Sequence, residues 1–426
     1  MEKEITVIAK NGIKIHSYRN SATHGFYISL FLRAGSMYES ENECGITHFL
    51  EHALIRNVNT IMNGELYPTL DRLGIEFNAS TYSEMVQFYI SGASEKFSFG
   101  SEIASLLLAP IALSKSEFYA ERERIKAEIR ESDDRTSLSS FANGIVYEGT
   151  SLARPILGTL GGVSKISLAK LEEYRKSVFS PENVFFYVTG NFTDADIQNM
   201  ASLIGKAPLS SLPGRTNYAP VPLGFGKRKA DVYIKNADFT MVRFNFDLDM
   251  SKLTMGVVDL IYDILLGGYN SKLFIEMSEK RGLFYDLNGA VEKYSNIGGF
   301  TFSFEVRSGS VYDAIENTLL ILKELKGTEL TEDGCMKAGY VDNGKLLYDD
   351  NRELNFTFAY DCHVMGATYS DIEQRAASYS AITPEAIRSA AFKIFKTENL
   401  TLAIKGNKKK IDAVRIKELL SIISDN

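Results

Sequence analysis

One short stretch limits the folds open to this chain more than any other. APLSSLPGRTNYAPVPLGFGKRK, from Ala207 to Lys229, holds Pro208, Pro213, Pro220 and Pro222, four of the nine prolines in 426 residues. Proline fixes φ and lacks a backbone donor, so the stretch suits neither a helix interior nor a central strand and reads as an extended linker. It cuts the chain near residue 225 into a first half, 1–206, and a second, 230–426, with 207–229 between them. Both halves run in the same order, strands first and amphipathic helices after. Phe26 to Arg33 and Met85 to Gly92 alternate as strands, and Ile46 to Ile55 and Lys115 to Asp134 have helical spacing. The second half echoes this, with strands at Thr240 to Leu248 and Phe300 to Val306 and helices at Leu253 to Leu266, Val311 to Leu325 and Pro384 to Phe395. The expected class is α+β: two homologous halves, each a mostly antiparallel sheet with helices packed on one face, which suggests an internal duplication.

Composition narrows the function classes. With 45% apolar and 24% charged residues the chain closes several cores, which excludes a disordered or disulfide-stapled protein. A net charge of -7, with 47 Lys plus Arg against 54 Asp plus Glu, leaves no basic footprint for nucleic acid. Cys44, Cys335 and Cys362 are odd in number and far apart, which fits a reducing compartment. The segment MEKEITVIAKNGIKIH has acidic residues where an export signal needs basic ones, so a cytoplasmic location is expected. The longest apolar run, Leu106 to Leu113, contains Pro110 and is far short of the roughly 20 residues a membrane span needs.

Chemistry concentrates in one string. Two of the five histidines, His48 and His52, stand four apart in GITHFLEHAL, with Glu51 between them. On a helix both imidazoles share a face and Glu51 lies beside them, the HxxEH arrangement of a zinc site. Such a site needs a third protein ligand and an open position for water. Glu121 and Glu128, seven apart in KSEFYAERERIKAEIRESDD, share one side of a second helix; one could bind the metal while the other holds a ligating histidine. Taken singly, the histidine pair also reads as a surface pair and the acidic helix as a solvated face. Cys44 reads as a small buried thiol rather than a nucleophile, since no orienting acid accompanies it. His16, His24 and His363 have no partner at ligand spacing and read as strand or loop residues.

Together these residues resemble the pitrilysin/insulinase zinc metallopeptidases, particularly the mitochondrial-processing-peptidase-like branch. Its pattern, HxxEH followed some 75 residues on by ExxxxxxE, is met by His48, Glu51 and His52, then Glu121 and Glu128. GIEFNASTYSE, RPILGT, SPENVFFYVTGN and KRGLFYDLNG extend the likeness over nearly the whole chain. The resemblance implies one zinc per chain held by His48, His52 and Glu128, Glu51 as general base, Glu121 behind the ligands, and hydrolysis of extended peptides. It also implies that substrate adds a strand beside Asn78, Ala79, Ser80, Thr81 and Tyr82, although those residues read equally well as an ordinary strand end.

One departure bears on assembly. The family's second half usually places an Arg seven residues before a Tyr, both on substrate; here the Tyr is Tyr285 but the Arg position holds Ser278. The resemblance therefore implies a heterodimer in which a related subunit supplies the Arg/Tyr pair, a homodimer being the other arrangement. The sequence is also similar to peptidase subunits of bacterial peptide-antibiotic pathways of the subtilosin type, which implies leader removal during bacteriocin maturation. The competing expectation is a non-catalytic assembly subunit of the same fold, like the core subunits of the respiratory cytochrome reductase.

Overall fold

The structure, a computed structural model, describes residues 3–135, 137–209, 231–237, 240–284, 286–294, 297–327, 330–331 and 337–424. Most of the proline-rich stretch, together with Tyr285 and Cys335, lies outside the described residues. The chain forms two compact units. The first comprises Met1–Arg135, Gly149–Ala219 and Leu346–Ile372; the second comprises Thr136–Glu148, Pro220–Lys345 and Glu373–Asn426.

The first unit is built on β1 (Ile5–Ile8), β2 (Lys14–Arg19), β3 (Gly25–Leu32), β4 (Glu76–Thr81), β5 (Val86–Ala93) and β6 (Val184–Gly190), in the order β1-β2-β6-β3-β5-β4. Every neighbouring pair is antiparallel except β2 with β6. The second unit has β7 (Asp231–Lys235), β8 (Thr240–Asp249), β9 (Leu287–Lys293), β10 (Ile297–Val306) and β11 (Leu400–Lys405), in the order β7-β11-β8-β10-β9, with only β7 and β11 parallel. Set β1 aside and the two sheets have the same strand order and the same single parallel pair. The duplication is thus present in the topology.

Alternation along the strands explains why each unit takes a segment from the other half of the sequence. Successive side chains point to opposite faces of a sheet. In β3, Phe26, Ile28, Leu30 and Leu32 join the main core, while Phe31 points the other way. With Tyr18, Met85, Phe185 and Tyr187 it forms a second apolar surface, which Leu354, Phe358, Ala359 and Ile372 bury. In the second unit the helix Ser137–Val146 supplies Leu138 and Ala142 against Ala403. A reading that moves linearly along the chain has no means of anticipating these two crossings.

Two helices of the first unit carry the candidate chemistry. Ile46–Ile61 buries Ile46, Phe49, Leu50, Ala53, Leu54 and Val58, a stripe at helical spacing that faces the sheet. Lys115–Arg135 buries Phe118, Ile125 and Ile129. The Phe49 and Phe118 rings stack with centroids 4.9 Å apart and join the two helices. Burial of a side chain such as Phe49 contributes about 1.5–3 kcal/mol.

Candidate metal centre

Since the apolar stripe of Ile46–Ile61 is committed to the core, His48, Glu51 and His52 are turned to its other side. The start of this helix is held by one group a few residues before it and by a stretch distant in sequence. Its N-cap, Gly45, has φ +89°, lacks a capping side chain, and donates its backbone N–H to Glu39 Oε2 at 2.8 Å. Glu39 Oε1 accepts from the Thr47 N–H at 2.9 Å, so one carboxylate satisfies two amides that a helix start leaves unpaired. Glu39 is only 3% exposed, and burial raises its pKa despite those bonds. A Cβ on Gly158, itself at φ +78°, would come 2.5 Å from the Gly45 Cα. The RPILGT stretch therefore packs backbone against backbone at the base of the motif helix, while Arg154 donates to the Glu39 carbonyl.

The Lys115–Arg135 helix brings its two acids to the histidines. His48 Nε2 lies 3.7 Å from Glu128 Oε1, and His52 Nε2 lies 3.5 Å from Glu128 Oε2. The imidazole centroids are 4.6 Å apart, with ring planes at 69°. On its other edge His52 Nδ1 meets Glu121 Oε2 at 3.3 Å, and Glu121 Oε1 accepts from Arg56 Nη1 at 2.5 Å. Arg56 is one helical turn beyond His52. It orients Glu121, which in turn orients the imidazole, the arrangement that fixes a ligating histidine.

The electrostatics separate the groups. Burial, then the neighbouring His52, pushes His48 down to about 4, so its imidazole is neutral at pH 7. Burial pulls His52 down as well, but hydrogen bonds to Glu121 and Glu128 outweigh it and hold the group at about 9. The hydrogen bond from His52 lowers Glu128. Glu51, 8% exposed, is raised by burial, and a hydrogen bond from Thr81 Oγ1 at 2.5 Å partly offsets that rise.

One donor atom from each of His48, His52 and Glu128 lies within 4.8 Å of the other two. A tetrahedral zinc with bonds of about 2.0–2.2 Å sets its ligand atoms roughly 3.3–3.6 Å apart, close to the 3.7 and 3.5 Å that separate the two imidazoles from the Glu128 carboxylate. Two imidazoles and a carboxylate, half-buried or deeper, are also the donor types zinc prefers. The residues present fit that ion.

The structure thus brings His48, Glu51, His52, Glu121 and Glu128 together. Asn78, Ala79, Ser80 and Thr81 lie on β4, the terminal strand of the sheet, whose outer edge has no strand partner among the described residues. Of these, Thr81 reaches Glu51 directly. Tyr285 lies outside the described residues, and Ser278 sits half-buried in the π-helical turn Phe274–Glu279. Arg281 is exposed. Cys44 is half-buried and unpaired in a disulfide, its thiol raised by burial. Sequence reasoning missed Glu39, Arg56 and the Gly45–Gly158 contact. Arg56 was within reach, standing four residues after His52 on the same face; Glu39, in an irregular segment, carries no periodic signal.

Residues 14–160 match the profile of insulinase (peptidase family M16), and residues 165–335 match that of the peptidase M16 inactive domain. A Rickettsia felis protein named an uncharacterized zinc protease is 27% identical over 340 residues, 76% of each chain. The uncharacterized zinc protease YmxG of Bacillus subtilis is 22% identical over 420 residues, 93% of this chain and 96% of that one. The crystal structure of a protease from Helicobacter pylori superposes with a TM-score of 0.84 at 18% identity, covering 95% of this chain and 100% of that one.

Proposed function

The chain belongs to peptidase family M16, carrying both its insulinase domain and its inactive domain, and on that premise we propose that it is a zinc-dependent endopeptidase acting on extended peptides. The observation that carries this reading is the convergence of His48, His52 and Glu128, from two helices far apart in sequence, on a single point beside a buried Glu51. Zinc bound there supplies Lewis acidity toward a carbonyl oxygen and acidifies a water.

The rest of the chemistry belongs to the protein. Glu51 takes the proton of the attacking water and delivers it to the departing amine, so hydrolysis needs no covalent intermediate. Thr81 holds the Glu51 carboxylate in place and favours its ionised form. Arg56 and Glu121 fix the His52 ring. The edge of β4 that has no strand partner among the described residues, along Asn78, Ala79, Ser80 and Thr81, receives the substrate as an added strand, whose main-chain hydrogen bonds are indifferent to side-chain identity. A non-catalytic assembly role has less support, since a scaffold has no need of a carboxylate buried beside two imidazoles.

Ser278, standing where an arginine would hold substrate, supports a heterodimer in which this chain brings the zinc and a related subunit brings the Arg/Tyr pair. Leader removal from a bacterial precursor peptide, in a cytoplasm where Cys44 and Cys362 stay reduced, is the role most in keeping with such an assembly. The test is direct. Glu51→Gln should keep zinc at this site and lose cleavage of a quenched-fluorescent peptide library, whereas His48→Ala should lose one equivalent of zinc and cleavage together. Cleavage that persists in Glu51→Gln overturns the mechanism. Equal activity of the chain alone and mixed with its paralogue overturns the heterodimer.

A further inference from the structure

Outside this centre, the first unit holds a second group of ligand-type side chains drawn from three separate segments. Glu4 precedes β1, His16 lies in β2, and His363 lies in the π-helical turn Ala359–Val364. His16 and His363, with no spacing relation in sequence, stack with ring centroids 3.6 Å apart and planes at 20°. His363 Nε2 lies 3.0 and 3.1 Å from the two Glu4 oxygens, and His16 Nδ1 lies 3.7 Å from Glu4 Oε1. One donor atom from each residue falls mutually within 4.8 Å; because rings stacked at 20° aim their lone pairs side by side, one imidazole must turn about its side-chain torsion for both to share a cation. We propose that Glu4, His16 and His363 form a second metal site, one that takes a borderline divalent cation such as zinc and clips the segment before β1 to the segment Leu346–Ile372.

The surroundings suit that role. His16 is 6% exposed, and Tyr187, fully buried, donates its hydroxyl to Glu4 Oε2 at 2.7 Å, which orients the carboxylate from behind. Phe185 and Tyr187 wall the two imidazoles. Thr6 Oγ1 shares a hydrogen bond with His16 Nδ1 at 2.8 Å and is the group a cation at that nitrogen displaces. No active-site residue is involved, and two of the three donors lie on segments already bonded to each other, through the Glu4 N–H to the Ser370 carbonyl at 3.2 Å. A cation here ties down the fold and performs no catalysis.

The experiment counts zinc on the full chain after chelation and equilibrium dialysis against buffered Zn2+. The unaltered chain should bind two equivalents, the His48→Ala/His52→Ala variant one, and that variant carrying His363→Gln none. Glu4→Gln, close in shape, should weaken the remaining equivalent by about 10- to 100-fold or more, since the loss of a mere outer partner does as much. Zinc should also raise the melting temperature of the His48→Ala/His52→Ala variant, because it binds only the folded chain. Should His363→Gln fail to fold, Cu2+ on the His48→Ala/His52→Ala variant gives a second readout: electron paramagnetic resonance should report two imidazole nitrogens. The proposal is overturned if the folded His48→Ala/His52→Ala variant binds no zinc, or binds an equivalent that both His363→Gln and Glu4→Gln leave intact. An equivalent that survives His48→Ala/His52→Ala, with no other beside it in the unaltered chain, would instead defeat the first centre and leave this one standing.

Discussion

Replacing Thr81 by Val deletes one hydroxyl while keeping the β-branched shape and the backbone of β4. The lost bond is the 2.5 Å contact from Thr81 Oγ1 to Glu51 Oε2, on a carboxyl that burial already raises. A hydrogen bond to a charged group is worth about 1.5–3 kcal/mol, and 1.36 kcal/mol corresponds to one pKa unit. The full bond would therefore move Glu51 up by about 1–2 units. Thr81 is half-exposed, so water takes over part of its role, and the expected rise is about one unit. The sign follows from chemistry. A general base works ionised, so activity falls as pH drops through its pKa, and a higher pKa moves that fall to higher pH. In kcat/KM against pH with a quenched-fluorescent peptide, the acid limb of Thr81→Val should move up by about one unit, with the plateau above it kept within about twofold. An acid limb that stays in place while activity drops equally at every pH would refute the reasoning, since Thr81 would then act on the substrate strand and not on Glu51.

Two further predictions concern how the motif helix is held. Glu39→Ala strips the acceptor from the Gly45 and Thr47 amides in a buried setting. Each unpaired amide costs about 1–3 kcal/mol, part of which the relief of a buried carboxylate offsets, so urea unfolding should show a net loss of about 2 kcal/mol; an unchanged midpoint would contradict the capping role. Gly158→Ala drives a methyl to 2.5 Å from the Gly45 Cα at a positive φ and should lose about 2–5 kcal/mol in the same assay. Gly161→Ala, where an added Cβ meets nothing within 4 Å, should be neutral, and equal losses in the two glycine variants would dismiss the close approach as the cause.

Much of this was legible in the sequence because the relevant signals are local. Alternation in Phe26 to Arg33 and the 3.6-residue spacing of Ile46, Phe49, Leu50 and Ala53 declare a strand and a helix wherever they lie, and the observed β3 and Ile46–Ile61 follow them. The i, i+4 histidines and the acids seven apart share faces by helix geometry alone, so a convergent centre could be expected before any distance was known. What escaped lacks a periodic signal or depends on long-range closure. Glu39 bonds the motif helix from only six residues before Gly45 but stands in a segment without periodicity, and Gly158 meets Gly45 from 113 residues away. His363 illustrates the limit best. Without a ligand-spaced neighbour it read as an isolated loop residue, yet its segment crosses to the first unit and stacks it on His16.

Anomalous diffraction at the zinc absorption edge, from crystals of the chain grown with zinc, tests the central claim without recourse to activity. A peak about 2.0–2.2 Å from His48 Nε2, His52 Nε2 and a Glu128 oxygen is the predicted result. Density that leaves Glu128 beyond bonding distance of the ion, or no peak between these three residues at saturating zinc, would contradict it.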